Sequence, residues 1–371
     1  MEGSSQSPRD LPLLSLFSGA GGLDLGFELA GFSPLLALDI DPSAVETYNW
    51  NRDRARSPAR IADLSRTPPA SIIEWWQEAH PTGGPTGIIG GPPCQAFSIS
   101  NVHKLRDDPR ATLPLAYART LDKFNRQFDL DFFLFENVAG LGHRKHLASL
   151  MAFLGRFKRA GFDVRTFYLD AVQFGVPQYR SRMFIVGFNK KRYKTSRFPV
   201  PVGNGTRLTV RDTIGELTEP AFFTRGRRPT DFGLHPNHCC MNPRSIKFGN
   251  GALKPGEMWG RSFRMLEWDA PSWTVAYGHR EVHVHPNGRR RLSVFEAMLL
   301  QGFPSHYELR GNLTDQIRLV SDAVPPPLAH ALALSIRDFL NQGGDEQSSS
   351  GQSEHVGFDG LQTASPKSTR A

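Results

Sequence analysis

The sequence predicts an α/β chain: a Rossmann-like, doubly wound domain joined to a smaller, mostly irregular and β region. Three observations carry this expectation. An apolar run at residues 13–17 flows into a glycine-rich turn and then a helical pattern. Short apolar runs then alternate with helix-length segments as far as residue 188. From about Asn189 the texture changes to more Pro, Gly and Arg, with shorter apolar runs. The charge changes there too. Residues 190–318 hold 21 Lys and Arg against 11 Asp and Glu, a surplus of ten in a chain of net charge +8. Basicity confined to one contiguous third is what a polyanion-binding face requires.

Taken in order, residues 13–17 form the first strand, and Ser18-Gly19-Ala20-Gly21-Gly22 the turn after it. The helix beyond stops at Gly31. A second strand, residues 34–38, ends at Asp39, twenty positions after Gly19, well placed for the ribose hydroxyls of an adenosine-containing cofactor. Asp41 caps the helix that starts near Pro42. Asp63 follows the third strand, either as an ordinary loop acid or as an acceptor for an adenine amino group.

Gly87-Ile88-Ile89 is a buried strand that delivers Gly90-Gly91-Pro92-Pro93-Cys94-Gln95. Two prolines stiffen the turn, and a lone thiol at a strand end suits a nucleophile, although free cysteine is commonly just buried. A polar loop from Ser98 to Arg110 has the length and charge of a lid. A helix over Leu113–Phe128 leads to the apolar strand 132–135, which ends in Glu136-Asn137-Val138. A carboxyl emerging from a buried strand beside Cys94 should have a raised pKa and could donate a proton, unless it merely caps or pairs. Leu147, Leu150, Met151, Leu154 and Phe157 recur at helical spacing and are assigned to the core. Arg180 and Arg182 share one face of an extended segment that opens the strand 183–188.

In the basic third, Arg289-Arg290-Arg291 and Arg225, Arg227 and Arg228 are candidate phosphate contacts. His235, His238, Cys239 and Cys240 lack zinc-site spacing, and no metal is expected. Three cysteines make no disulfide framework, which indicates a reducing compartment. No signal peptide is visible, no apolar run approaches a membrane span, and a cytoplasmic, nucleoid-associated protein without membrane partners is expected. A last helix, residues 328–340, opened by Pro325-Pro326-Pro327, is assigned to the first domain's sheet. The expected organisation is a disordered tail (1–10), a cofactor-binding catalytic domain (11–195, completed by 320–342), a small recognition domain (196–319) and a second tail (343–371).

Together these segments resemble the cytosine-C5 DNA methyltransferase family, from about residue 13 to residue 340. The matching pieces are Phe17-Ser-Gly19-Ala-Gly21-Gly22, Gly91-Pro-Pro93-Cys94-Gln95-Ala-Phe-Ser98, Glu136-Asn137-Val138, Gln178-Tyr-Arg180-Ser-Arg182 and Gln301-Gly-Phe-Pro304. The resemblance implies S-adenosylmethionine as methyl donor and S-adenosylhomocysteine as product. It implies a monomer acting on double-stranded DNA, with a base flipped from the stack, and a functional partnership with a nuclease or defence system. It assigns Cys94 as nucleophile on cytosine C6, Glu136 to N3 and the exocyclic amine, Arg182 to O2, and Arg180 to support. Phe17, Gly19, Gly21, Leu23, Asp39, Ile40, Asp63, Leu113 and Asp322 fall to the cofactor. Pro93, Gln95, Ser98, Ser100, Gln178 and Thr274 fall to the substrate and its loops. Two departures stand out. Ser321-Asp322 occupies a place where the family usually has Gly-Asn, and Leu299 a place where it usually has Arg. An RNA-modifying branch of the same fold would carry a Cys-Phe-Thr signature, which is absent here.

Overall fold

A computed structural model describes residues 11–52, 58–93, 113–194, 197–224, 233–259, 263–274 and 283–342. The first half alternates strands and helices: β1 (Pro12–Leu16), α1 (Gly22–Leu29), β2 (Ser33–Asp39), α2 (Pro42–Trp50), β3 (Ala59–Ile61), α3 (Pro69–Ala79) and β4 (Gly87–Gly90). Next come α4 (Leu113–Phe128), β5 (Phe132–Val138), α5 (Leu147–Arg159), β6 (Phe162–Asp170), β7 (Gln178–Tyr179) and β8 (Ser181–Asn189). The basic third is mostly loop, with the short α6 (Val210–Ile214) and strands β9 (Ala221–Phe222), β10 (Cys239–Cys240), β11 (Met258–Trp259), β12 (Phe263–Arg264) and β13 (Ser272–Trp273). Helices α7 (Val294–Leu300), α8 (Leu313–Asp322) and α9 (Pro326–Gln342) close the chain.

Seven strands form one sheet in the order β3-β2-β1-β4-β5-β8-β6. Pairings from β3 to β5 are parallel, whereas β8 runs antiparallel to both β5 and β6. The order reverses between β1 and β4, which opens a crevice at their carboxyl ends. Because β8 is antiparallel, its first residues lie at that same edge: Arg182 is in register with Val138 and Phe184 with Glu136.

Two apolar layers cover the sheet. One gathers Leu14, Leu38, Trp76, Tyr117, Phe133, Phe135 and Phe157; the other gathers Leu13, Phe27, Phe132, Phe184, Phe188 and α9 residues Leu328, Leu332 and Ile336. Helix α9 therefore packs on the sheet as its apolar faces require, against α1, where Gly26 admits the α9 backbone. A third cluster joins Ala20 and Ala44 of the sheet half to Val210, Leu292, Met298, Leu309 and Leu319. The change of texture at Asn189 is not a packing boundary, since Tyr193 and Phe198 still belong to the second layer.

Two expectations need correction. In α5, Leu150, Phe153 and Phe157 are buried, but Leu147 and Met151 are 44% and 59% exposed. The helix lies against one side only, so its apolar stripe is wider than the surface that covers it. The stretch Leu313–Gln342 is long and apolar enough to cross a membrane on length and composition. It is two helices separated by the extended backbone of Ala323, and 67% of its most apolar window is buried inside the fold.

Candidate active site

The site lies where the carboxyl ends of β1, β2, β4 and β5 meet the start of β8. The turn after β1 is held in an uncommon shape. Phe17, Gly19 and Gly21 all have positive φ, at 57°, 54° and 80°. For Phe17, which carries a side chain, that costs about 1–3 kcal/mol and must be compensated by neighbours. Ser18 N donates to Leu38 O at 3.1 Å, and Gly19 N donates to Asp39 Oδ2 at 2.8 Å. Tyr307 Oη donates to Ala20 O at 2.5 Å. Behind Gly21 lie the Tyr48 ring and the Arg52 guanidinium, each about where a Cβ at Gly21 would reach: 2.9 Å and 3.0 Å. Arg52 in turn makes a two-pronged pair with Glu28, at 2.7 and 2.8 Å. Tyr48 Oη donates to Asp24 Oδ1 at 2.8 Å, and burial raises Asp24 to about 6.

Asp39 ends β2, where its carboxylate also accepts from Asp41 N at 2.9 Å; burial raises its pKa. Next to it Ile40 is 62% exposed, an apolar side chain presented to solvent beside an acid. A would-be Cβ on Gly19 meets open space. Backbone N–H groups, an acid at a strand end and an uncovered apolar residue form a donor and acceptor set that fits an adenosine-containing cofactor. Leu23 is buried in α1 and Leu113 partly buried at the start of α4. The Asp63 carboxylate is engaged locally, accepting from Ser65 N and Oγ at 3.0 and 2.6 Å and facing Arg66.

Cys94, Gln95, Ser98, Ser100 and the rest of the expected lid lie outside the described residues. Their approach is described as far as Pro93. Gly90 pairs with Phe135 across the sheet, so Gly91 stands beside Glu136. A side chain at Gly91 would come within 2.6 Å of Glu136 Oε2 and push that carboxylate from its place. Asn137 Nδ2 donates to Pro92 O at 3.4 Å, tying β5 to the same turn.

Glu136 is 9% exposed and pairs with Arg182, Oε1 to Nε, at 3.0 Å. Burial raises the Glu136 pKa, while Arg182 and Arg180 oppose the rise and Asp322 adds to it. Arg180 is wholly buried, and its Nη2 donates to Ser321 O at 2.6 Å. It ties β7 and β8 to the end of α8 and is not open to solvent. Gln178 is also wholly buried, its Nε2 donating to Leu300 O at 3.4 Å. The Thr274 hydroxyl donates to Tyr179 O at 2.6 Å, next to the β13–β7 pairing that joins the basic third to this edge.

One reading of the basic third is overturned in part. Arg290 and Arg291 are 3% and 5% exposed and do not offer themselves to phosphate. Arg290 pairs with Glu219 and Glu296, and Arg291 lies over the rings of Phe248 and Phe263. Of the three only Arg289 is exposed, and Arg225, Arg227 and Arg228 lie outside the described residues. Among the described residues, no three His, Cys, Asp or Glu side chains converge as metal ligands. His235 instead stacks on Phe295, and His238 bridges Ser293 Oγ and Thr218 O. Three site residues escaped the reading of the sequence: Tyr48, Arg52 and Tyr307. Tyr307 reaches Ala20 across 287 positions, a separation that leaves no local pattern.

This fold and strand-edge constellation define a class, and comparison with known proteins agrees with it. Residues 11–338 match the C-5 cytosine-specific DNA methylase family. The chain belongs to that family and is a DNA (cytosine-5) methyltransferase. It is 33% identical over 353 residues to the type II methyltransferase M.MthTI of Methanothermobacter thermautotrophicus, covering 89% of this chain and 98% of that one. It is 31% identical to M.FnuDI of Fusobacterium nucleatum, covering 89% and 95%. Among solved structures, the fold is shared with an Escherichia coli prophage protein assigned as a DNA modification methyltransferase, at TM-score 0.70, 23% identity and coverage of 90% and 100%. It is also shared with Schizosaccharomyces pombe Dnmt2, at TM-score 0.59, 20% identity and coverage of 90% and 99%.

Proposed function

We propose that the chain methylates C5 of a cytosine flipped out of a specific double-stranded DNA word, with Cys94 as nucleophile and S-adenosylmethionine as donor. The observation that carries this is the Glu136–Arg182 pair held beside the turn that leads into Cys94. S-adenosylmethionine supplies an electrophilic methyl group on a sulfonium. The cofactor is assigned to the turn Phe17, Gly19, Gly21 and Leu23, with Asp39 on the ribose. Ile40, Asp63 and Leu113 are assigned to the adenine side, and Asp322 to the methionine side. Cytosine C5 is a poor nucleophile until the Cys94 thiolate adds to C6 and converts the ring to an enamine. Glu136, whose pKa burial raises, is assigned to protonate or hydrogen-bond N3 and the exocyclic amine as C6 is attacked. Arg182, paired with Glu136, is assigned to hold O2. Buried Arg180 fixes the strand that presents Arg182. Loss of the C5 proton then expels the thiolate. Pro93, Gln95, Ser98, Ser100, Gln178 and Thr274 shape the entry of the base.

Residues 11–195 with 320–342 are the catalytic unit in this reading, and residues 196–319 recognise the target. A monomer suffices for both tasks, and action on duplex DNA in the cell fits a restriction-modification or defence pair. Base-resolution bisulfite sequencing of DNA and RNA from a methylation-free bacterial host expressing the chain tests this. Protected cytosines confined to one short DNA word are expected. Protection confined to RNA, or none with folded protein, contradicts it.

A further inference from the structure

We propose that Asp322 selects by charge in the cofactor site: its carboxylate favours the cationic methyl donor over the neutral product and so promotes their exchange. This deepens the donor assignment above and rests on it.

Asp322 is the last residue of α8, and the main chain on its two sides is pinned to two parts of the site. On one side, Ser321 O accepts from Arg180 Nη2 at 2.6 Å. On the other, Ala323 O accepts from Gln301 Nε2 at 2.6 Å. Val324 O then lies so close to the cofactor turn that a Cβ on Gly22 would approach it to 2.4 Å. Asp322 is thus wedged between the cofactor turn and the arginines of the reacting end, with its side chain exposed. Arg180, Arg318, Arg182 and Asp39 are the charges that bear most on its carboxyl, and Glu136 feels it in return. Although the side chain touches solvent, protein crowds the carboxyl enough to raise its pKa, with the arginines opposing.

The ligand's chemistry gives this placement a consequence. S-adenosylmethionine carries a sulfonium, an ammonium and a carboxylate, and so one net positive charge. Once the methyl has left, the sulfur is a neutral thioether and the net charge is zero. The methyl must be delivered to a base held by Arg182, with Arg180 and Arg318 near by. Without Asp322 the sulfonium would approach the guanidiniums of Arg180, Arg182 and Arg318, the last two partly offset by Glu136, Asp41 and Asp315, and the remaining like-charge repulsion at such range matters for binding. A carboxylate there offsets the repulsion and attracts the donor, and it does neither for the product.

The test is equilibrium binding by titration calorimetry of S-adenosylmethionine, S-adenosylhomocysteine and the unreactive cationic analogue sinefungin. The full chain is compared with Asp322→Asn and Asp322→Glu. For Asp322→Asn, the two cationic ligands should weaken about tenfold while the neutral product stays within about twofold, as removal of one nearby charge implies. Asp322→Glu should restore part of the preference. Asp322→Ser, a second neutral variant, should show the same change of ratio should the asparagine variant misfold. Equal weakening of all three ligands would make Asp322 merely structural, and unchanged affinities would make it idle; either overturns the proposal. Failure of the unmodified chain to bind any of the three would instead overturn the donor assignment.

Discussion

Both halves of the molecule bury ionisable groups, and burial moves them in opposite directions. At the sheet edge the buried groups are carboxyls: Asp24, raised to about 6, together with Asp39 and Glu136, also raised. In the basic third they are histidines: His235 and His283 are both lowered to about 4, chiefly by desolvation. Burial disfavours the charged form in both cases, and so both halves tend toward neutrality at opposite ends of the pH scale. The carboxyls at the sheet edge thus hold their protons to higher pH than free carboxyls do, while the histidines of the basic third release theirs at lower pH than free imidazoles do. What differs is use. Glu136 pairs with Arg182 beside the turn that leads to Cys94, where the proposed reaction would use it. His283 Nε2 faces the carbonyls of Trp273 and Thr274 at 3.3 and 3.0 Å and serves to hold a loop.

The largest effect should come from Glu136→Gln. This substitution keeps the shape and removes the acid group that the proposed mechanism assigns to N3, so methyl transfer should slow by about 10²–10⁴-fold. Cofactor affinity measured by calorimetry should change little. Equal losses in both would make Glu136 structural and erase the contrast between the halves. Next is Arg290→Met, which leaves the carboxylate of Glu296, 1% exposed, without its cation in the basic third. Denaturant unfolding should show a loss of about 3–5 kcal/mol, because an uncompensated buried charge is costly.

Smaller effects separate the halves by pH. Asp24 is raised in the folded chain from its ordinary 3.8 to about 6. Its stabilising contribution is present below 3.8 and lost as pH rises through about 6. Asp24→Asn should therefore raise stability at pH 7.5 by about 1–3 kcal/mol and change little near pH 4. A gain independent of pH would mean that Asp24 does not titrate there. His283 runs the other way, lowered from 6.5 to about 4, so its contribution is present above 6.5 and lost as pH falls through 4. His283→Gln should flatten the acid limb of the stability profile by about 1–3 kcal/mol, at a smaller cost at neutral pH. An acid limb unchanged in this variant would assign the loss to other groups.

Much of the sheet half was legible because its signals are local. The run over Leu113–Phe128 and the strand ending in Glu136-Asn137-Val138 have the periods and stops that the structure uses. Asp41 caps α2 by accepting from Ser43 N, as its position before Pro42 implies. That Glu136 emerges at the sheet edge to which β4 delivers the turn before Cys94 followed from two strand ends at one edge. The basic third was read less well for a physical reason. Its arginines were counted as free charge, but Arg290 is spent on Glu219 and Glu296, and Arg211 on Asp269. Charge count reports composition, whereas pairing depends on three-dimensional neighbours far apart in sequence. The same holds behind the cofactor turn, where Tyr307 and Arg52 act on Ala20 and Gly21 from distant segments.

The most direct test of the central claim, that this edge works through a covalent Cys94 adduct, is trapping with DNA that carries 5-fluorocytosine in the methylated word. Fluorine at C5 cannot depart as a proton does, so the elimination that frees the thiolate is blocked. The expected result is a stable complex formed only with methyl donor present, mapped by peptide mass spectrometry to Cys94, and absent in Cys94→Ala. No complex on a word that the enzyme methylates, or a cross-link at Cys239 or Cys240 instead, would contradict it.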